Sequence, residues 1–411
     1  MTVVENARRT EILDAAADLF ASAGIRASLK DIADAAGILP GSLYHHFDSK
    51  EAIVVELVQR YLADLDQVAQ ESLERTAGSP ARQAVEEVGT AIAECAVRNR
   101  AALLLTFYEP PSVYGAELAE LTARSPVAIT AALREVLARA DAEGTLRDGI
   151  DRDVLADRIC QSMLHVGIGV FHRNRAARLV PALKCRMLLG GLAEHPVVDV
   201  ELDRSPARQA ADEIIAGWPS PDAVGEGGRA ALILDAARAE FGRRGYEATT
   251  MRDVAAAAGV SAKAVYRVVQ SKEELLMSIL GSYADSTKKG WDAVLGARAT
   301  PLEKLDALLW LDINILDRYT EESRIQSVGL QFAPPTSPDL GLSFPARLRQ
   351  IRKVLADGAA AGEIRTFAGS ADVRARCVFS LIWTPGHIVR TLGTHATLGF
   401  ARDTLLRGAA E

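Results

Sequence analysis

One stretch of this chain is written twice. Residues 12–50, ILDAAADLFASAGIRASLKDIADAAGILPGSLYHHFDSK, return at 233–272 as ILDAARAEFGRRGYEATTMRDVAAAAGVSAKAVYRVVQSK. From Ile12 on Ile233 to Gly24 on Gly245, seven of thirteen positions are identical, and from Asp31 on Asp253 to Glu51 on Glu273 nine of twenty-one are. A one-residue length difference near Ala27 and Thr249 separates the two blocks. Two copies set half a chain apart mean a duplicated module, not a solenoid of short repeats. At 411 residues, the chain has room for two modules of roughly 200 residues each. Function is therefore to be sought in one module, and in the reason one chain carries two.

An apolar fraction of 49% with 25% charged residues is that of an ordinary globular protein. The opening MTVVENARRTE lacks the apolar run of a signal peptide, and no stretch is long and apolar enough to span a membrane. Cys95, Cys160, Cys185 and Cys377 are scattered without CxxC spacing, which predicts reduced thiols in a cytoplasm and no membrane partner. A net charge of −7 argues against nonspecific coating of nucleic acid but leaves room for a local contact patch. The blocks differ here. Residues 8–60 hold six Lys/Arg against eight Asp/Glu, and residues 229–281 hold eight against six, so the second copy is the more basic.

Ala, Leu, Glu and Arg dominate, and apolar residues recur at helical spacing, as in Ile12, Ala16, Leu19 and Phe20. Strand-like alternation is absent, so the fold class is all-α. The duplication runs past the strong block: TFYEPP (106–111) is answered by LQFAPP (330–335), and AEGTLR (142–147) by AGEIR (361–365). Long helices are predicted over 113–143, 151–172 and 178–193, with counterparts over 341–361, 370–393 and 395–409. The division that follows is an N-terminal trihelix over 1–55, a larger helical domain over 56–205, a linker over 206–228, a second trihelix over 229–277 and a second larger domain over 278–411. PSPDAVGEGG (219–228) is the most linker-like stretch.

The local chemistry of 28–47 is specific. Ser28 with Asp31 has the form of a capping box that starts a short helix. Gly37 then ends it in a left-handed turn, and Pro40 sits where a first-turn proline is tolerated and opens PGSLYHHF. The second copy repeats this with Thr250 and Asp253, a stop at Gly259 and a restart capped by Ser261. Two short helices joined by a tight glycine turn form a helix-turn-helix, whose second helix is built to enter a major groove. In that helix Leu43 and Phe47 face inward, while Tyr44 and His45 face outward with groups able to reach phosphates or base edges.

These residues resemble the TetR family of transcriptional regulators. Phe20, Gly24, Asp31-Ile32-Ala33, Ala36-Gly37, Gly41, Leu43-Tyr44, His46-Phe47 and Ser49-Lys50-Glu51 all follow the family's pattern. The resemblance covers both N-terminal blocks and extends weakly over the larger domains. It implies a double-stranded DNA operator as partner. In the first copy the DNA-contacting set would be Arg8, Arg9, Ser28, Lys30, Pro40, Gly41, Ser42, Tyr44, His45 and Lys50. In the second it would be Arg229, Thr250, Arg252, Ser261, Lys263, Tyr266, Arg267 and Lys272. There Val268 and Val269 replace His46 and Phe47, so either the core is repacked or this copy has turned to a structural role.

The resemblance also implies a ligand cavity and a dimerisation face in the larger domains, with a small apolar effector, lipid-like or acyl-CoA-like. Phe107, Tyr108, Met163, His165 and Phe171 are candidates for lining it in the first copy, and Trp310, Phe332, Trp383 and His387 in the second. Core packing is the competing reading for each. Adjacent His45 and His46 point different ways on a helix and make a poor metal pair. No GxSxG, Walker loop, HExxH or dinucleotide fingerprint occurs, so neither enzyme activity, metal nor cofactor is expected. The resulting reading is a tandem repressor, acting as an intramolecular pseudo-dimer or as a homodimer of tandem chains. An interaction or scaffold protein whose second copy binds a partner is the alternative.

Overall fold

The computed structural model describes residues 3–23, 27–107, 114–168, 179–218, 228–246, 248–326 and 344–410. Among these residues there is no strand. Each half begins with three helices: α1 (Val3–Ala23), α2 (Leu29–Ala35) and α3 (Pro40–Leu43) in the first. In the second they are α13 (Gly228–Arg244), α14 (Met251–Ala257) and α15 (Ala262–Val265). A long helix then carries each head into its larger domain, α4 (Lys50–Thr76) and α16 (Lys272–Gly296), started by Ser49 and Ser271 accepting from the amides of Ala52 and Glu274.

The first larger domain continues with α5 (Ala81–Arg98), α6 (Arg100–Leu105), α7 (Ala116–Ala123), α8 (Val127–Ala142), α9 (Arg152–Ile168) and α10 (Val180–Gly190). The second holds α17 (Pro301–Arg318), α18 (Thr320–Arg324), α19 (Phe344–Ala360), α20 (Ala371–Ile382), α21 (Gly386–Leu392) and α22 (Thr394–Ala401), closed by a π-helical turn over Arg402–Leu406. Two of the long helices predicted from sequence are broken, each at a proline. The 113–143 stretch divides into α7 and α8 because Pro126 disfavours helical backbone in the residue before it. The 370–393 stretch divides at Trp383-Thr384-Pro385, where proline lacks the N–H that would continue the ladder. The carbonyl this frees is satisfied from the other half: Arg158 Nη2 donates to Leu381 O at 2.8 Å and Nη1 to Thr384 Oγ1 at 2.9 Å.

The expected linker over 206–228 needs correction. Its first half is helical, α12 (Pro206–Ala216), preceded by a short α11 (Asp199–Asp203). Ser205 caps α12, Pro206 occupies its first turn, and Ala207 and Ala211 are buried. The helix packs along both α16 and α17. Trp310 Nε1 donates to Asp212 at 2.7 Å, and the Arg208 guanidinium lies 3.8 Å from the Trp310 ring centre. Beside it, Arg402 is bound at 2.7 and 2.8 Å by the two oxygens of Asp306, which is wholly buried, and at 2.8 Å by Asp203. Only the polar stretch 219–227, outside the described residues, retains a linker's composition.

The two larger domains meet about a pseudo-two-fold axis. Leu146 bridges Ala410, and Ala193 bridges Ile364. Arg147 N donates to Ala409 O at 2.9 Å, and Arg365 N donates to Leu192 O at 2.8 Å. Leu192 N and Ala193 N donate to Leu405 O and Leu406 O, while Ala409 N and Ala410 N return the pattern to Leu188 O and Leu189 O. At the crossing the backbones touch through Gly191 (φ +71) and Gly408 (φ +92). A Cβ on Gly191 would sit 2.3 Å from the Arg407 carbonyl carbon, and one on Gly408 would sit 2.5 Å from that of Gly190. Gly191→Ala and Gly408→Ala are each expected to cost on the order of 3 kcal/mol through left-handed backbone plus clash, read as a lowered urea midpoint. A loss under about 0.5 kcal/mol would mean that the crossing does not hold the halves together.

Candidate nucleic-acid interface

The two heads are built by the same local bonds. Ser28 N donates to Asp31 Oδ2 at 2.8 Å and Asp31 N to Ser28 Oγ at 3.2 Å, and Thr250 and Asp253 repeat both distances. The reciprocal bonds to Ser28 hold the Asp31 carboxyl below its ordinary pKa. Gly37 (φ +65) and Gly259 (φ +64) end α2 and α14 in the left-handed region. Each chain then turns into its short second helix, opened by Pro40 at the first helical position in one head and by Ser261 accepting from Ala264 N in the other.

That helix presents one face to the core and one to solvent. Leu43 and Phe47 are buried in the first head, Val265 and Val269 in the second. Tyr44 and Tyr266 stand out from the surface with the same exposure, 54%. Beside Tyr44 lie exposed Pro40, Gly41, Ser42 and His45, with Ser28 and Lys30 at the start of α2. Nothing lies within 4 Å of where a Gly41 Cβ would sit, so the fold does not demand glycine there, and the space is left to whatever faces this helix. Beside Tyr266 lie exposed Ser261, Lys263 and Arg267, with Thr250 and Arg252 at the start of α14 and Arg229 at the start of α13. None of those four cations has an ion pair among the described residues.

Three expected contact residues have other partners. Arg9 is turned inward: its Nε donates to Glu56 at 2.9 Å, a second nitrogen to His46 O, and its guanidinium lies 4.0 Å above the Phe47 ring. It seals the head rather than reaching out. Arg8 pairs with Glu11 on the surface of α1. Lys272 places its ammonium 4.2 Å from the Tyr246 ring, and Tyr246 meets Phe241 edge-on at 5.3 Å. This aromatic pair accompanies the smaller Val269, so the second head is repacked around its reduced plug. Lys50 is half-buried, and burial lowers its pKa.

Both heads are tied to their larger domains through the helix after the first long pair. Arg100 Nη1 on α6 donates to Ala21 O of α1 at 2.7 Å. Arg238 on α13 pairs with Glu322 of α18 at 2.7 Å.

The candidate ligand residues separate. Phe107 meets His165 edge-on at 5.6 Å, and His165 lies 4.4 Å from Trp383 of the second half, so these three form one cluster across the axis. His165 Nδ1 is 2.7 Å from Gln161 O, which accepts only and so fixes the proton on Nδ1. Burial pushes the His165 pKa down to about 4. Met163 instead packs beside Gly89 in the core, Trp310 holds α12, and His387 pairs with Asp157 of the first half. Tyr108, Phe171 and Phe332 lie outside the described residues. Among the described residues no group of His, Cys, Asp or Glu is placed to hold a metal, and no helix is long and apolar enough to cross a membrane.

Sequence reasoning missed Asp312. α5 and α17 are both 18 residues long, and Ile92 in the first stands where Asp312 does in the second. The buried Asp312 Oδ2 has no hydrogen-bond partner among the described residues. Burial raises its pKa from the ordinary 3.8 to about 7, against the pull of Arg347 and Arg158.

The comparisons follow this geometry. The family model described as "Bacterial regulatory proteins, tetR family" matches residues 12–57 and 233–279, one region per head. The HTH-type transcriptional repressor KstR2 of Rhodococcus jostii (strain RHA1) is 63% identical over 62 residues, 15% of this chain and 30% of that protein. The HTH-type transcriptional regulator UidR of Escherichia coli (strain K12) is 47% identical over 51 residues, 12% of this chain and 26% of that protein. The chain thus spans under a third of the length of the curated relatives it matches. The solved structure of the ketosteroid transcriptional regulator KstR2 of Mycobacterium tuberculosis aligns at 26% identity with a TM-score of 0.36, covering 42% of this chain and 89% of that one.

Two variants separate reading from sealing. Gly41→Ala is expected to leave unfolding unchanged or slightly improved, while Arg9→Ala costs about 1–2 kcal/mol of stability by freeing Glu56 and uncovering Phe47. Equal melting losses in both would contradict these roles. For Asp312 the unfolded chain gives up its proton first, so stability falls as pH rises from 3.8 to about 7. Asp312→Asn should flatten that fall in urea unfolding, and an unchanged slope would place the carboxyl in contact with solvent. The family model thus matches each of the two heads, and the chain carries two regions similar to the tetR family of bacterial regulatory proteins.

Proposed function

We propose that this protein is a sequence-specific DNA-binding transcriptional repressor that acts as a single-chain pseudo-dimer. The observation that carries the reading is the pair of exposed tyrosine-bearing helices, Tyr44 and Tyr266, fixed in one polypeptide by a paired backbone crossing at Gly191 and Gly408. Tyrosine hydroxyls, Lys30, Arg252, Lys263 and Arg267 supply the phosphate and base-edge contacts such a surface needs. The heads read successive major grooves, about 34–36 Å apart or a multiple of that. Pro40-Gly41-Ser42 and His45 in one head face Ala262-Lys263-Ala264 and Arg267 in the other, so the operator is asymmetric.

Regulation on this reading comes from a small apolar effector in the larger domains, lipid-like or acyl-CoA-like. It favours an arrangement whose head spacing no longer fits the operator. α6 with Arg100 and α18 with Glu322 are the elements that carry the change to the heads. A cytoplasmic location accompanies this role, and no catalytic step is proposed.

Hydroxyl-radical footprinting on a selected DNA site, with the molar mass of the complex measured alongside, tests the reading. The expected result is one chain per site and a footprint that loses one side in Tyr266→Ala/Arg267→Ala and the other in Tyr44→Ala. A footprint indifferent to Tyr266 and Arg267, with two chains per site, would replace the pseudo-dimer by a homodimer of tandem chains. Indifference to both pairs would favour a scaffold role.

A further inference from the structure

A cleft of about 60 Å³ opens beside the pseudo-two-fold axis, between the end of α10 and the pair α19 and α20. Its floor is apolar, with Met187 and Leu192 from the first half and Leu355, Phe367 and Val378 from the second. Three arginines line it, Arg352, Arg365 and Arg374, and no lining residue is acidic. Arg365 reaches over the axis to donate to Gly190 O at 2.6 Å, with Glu194 at the outer limit of pairing, 4.0 Å. Arg374 uses one nitrogen on Phe367 O and Gly369 O, which leaves the rest of its fork without a carboxylate. Arg352 is exposed and has no ion pair among the described residues.

The first half holds two ion pairs at the equivalent place. Leu146 and Ile364 hold matching bridges, so Asp141 and Ala359 take equivalent positions before them, as do Arg134 and Arg352. After them, Arg152 and Ala371 each precede an Asp-Val pair. In the first half Arg152 pairs with Asp141 at 3.0 Å, and Arg134 with Asp153 at 2.7 Å. In the second half the first pair has become Ala359 and Ala371, both on the cleft wall. Asp372, the counterpart of Asp153, bonds Arg376 at 2.9 Å and leaves Arg352 alone. One bridge has thus been truncated to two methyl groups and the other broken, and the space and positive charge released coincide.

From this we infer that the second half carries a binding site for a small oxyanion-bearing molecule, a carboxylate or phosphate on a short apolar group. The guanidinium forks of Arg352, Arg365 and Arg374 match planar or tetrahedral oxyanions, and the floor takes the apolar part. A space of this size holds a few non-hydrogen atoms beyond a water molecule. Because the walls come from both halves, an occupant ties α10 to α19 and α20 and biases the arrangement about the axis. The site is distinct from the Phe107, His165 and Trp383 cluster and does not rest on the DNA-binding reading.

The test is isothermal titration of the full-length protein, without DNA and at constant ionic strength, with butyrate, inorganic phosphate and 1-butanol. Saturable binding of butyrate or phosphate, one per chain, is expected, with none for the uncharged alcohol; the tighter of the two anions identifies the source of the oxyanion. Arg352→Ala should weaken binding at least about tenfold without moving the unfolding midpoint, since the side chain has no partner to lose. Ala359→Asp/Ala371→Arg, which rebuilds the ion pair of the first half, should abolish it in a folded protein. Failure of both anions to bind at millimolar concentration, equal binding of 1-butanol, or wild-type affinity in both variants would overturn the assignment.

Discussion

Two glycines touching backbone to backbone set the geometry of everything else. Gly191 and Gly408 bring the chain after α10 and the chain after the Arg402–Leu406 turn closer than any side chain would allow. That contact places seven main-chain hydrogen bonds in register among the described residues, four donated by the first half and three by the second. Side chains reinforce it at matching points. Arg158 and Lys184, both nearly inaccessible to solvent, donate to the carbonyls of Leu381 and Ser162, which occupy equivalent places on α20 and α9. Burying two cations without carboxylates is costly. It shows in the Lys184 pKa, which burial pushes down to about 8. At Leu381 that cost is offset, because Pro385 leaves this carbonyl without its helical donor and Arg158 fills the place from the other half.

Covalent duplication also frees each half from the other. In a homodimer every substitution appears twice and must suit both sides of the axis. Here Asp312 stands opposite an Ile92, Val269 opposite Phe47, and Ala359 with Ala371 opposite an intact ion pair. The connector exploits the same freedom. α12 packs along α16 and α17, held by Trp310, Arg208 and Asp212. The second half is thus braced by the connector, and its interior holds Asp312, whose buried Oδ2 has no hydrogen-bond partner among the described residues.

Much of this was legible in the sequence. The capping boxes, glycine stops and exposed tyrosines are local, and local bonds made them: Ser28 with Asp31 and Thr250 with Asp253 are three residues apart and need no tertiary context. The inward turn of Arg9 was not legible, because its partner Glu56 and the ring it covers lie far along the chain. Nor was α12, whose buried face is only Ala207, Arg208 and Ala211 and which is held by a tryptophan nearly a hundred residues away. Pro126 and Pro385 divide stretches whose apolar spacing continues on both sides, so periodicity alone runs the two helices through them. The crossing at Gly191 and Gly408 was hidden for a different reason. Gly-Gly and Arg-Gly near helix ends read as caps, and only the opposite half shows that the missing Cβ atoms make room for backbone.

On the single-chain reading proposed above, the pairing of heads would also change how operator occupancy depends on concentration. A regulator that must dimerise first loses affinity when dilute, because assembly and binding are linked by mass action. With both heads in one chain, the second contact follows the first at an effective concentration set by the structure. Occupancy then follows the first power of protein concentration. That advantage holds only while the head-to-head geometry is correct. A ligand acting in either half therefore needs to displace one head, through α6 or α18, to lose the contribution of both. On the effector and oxyanion sites proposed above, unequal interiors would let two different small molecules act on one operator, each by its own differential affinity for the two arrangements.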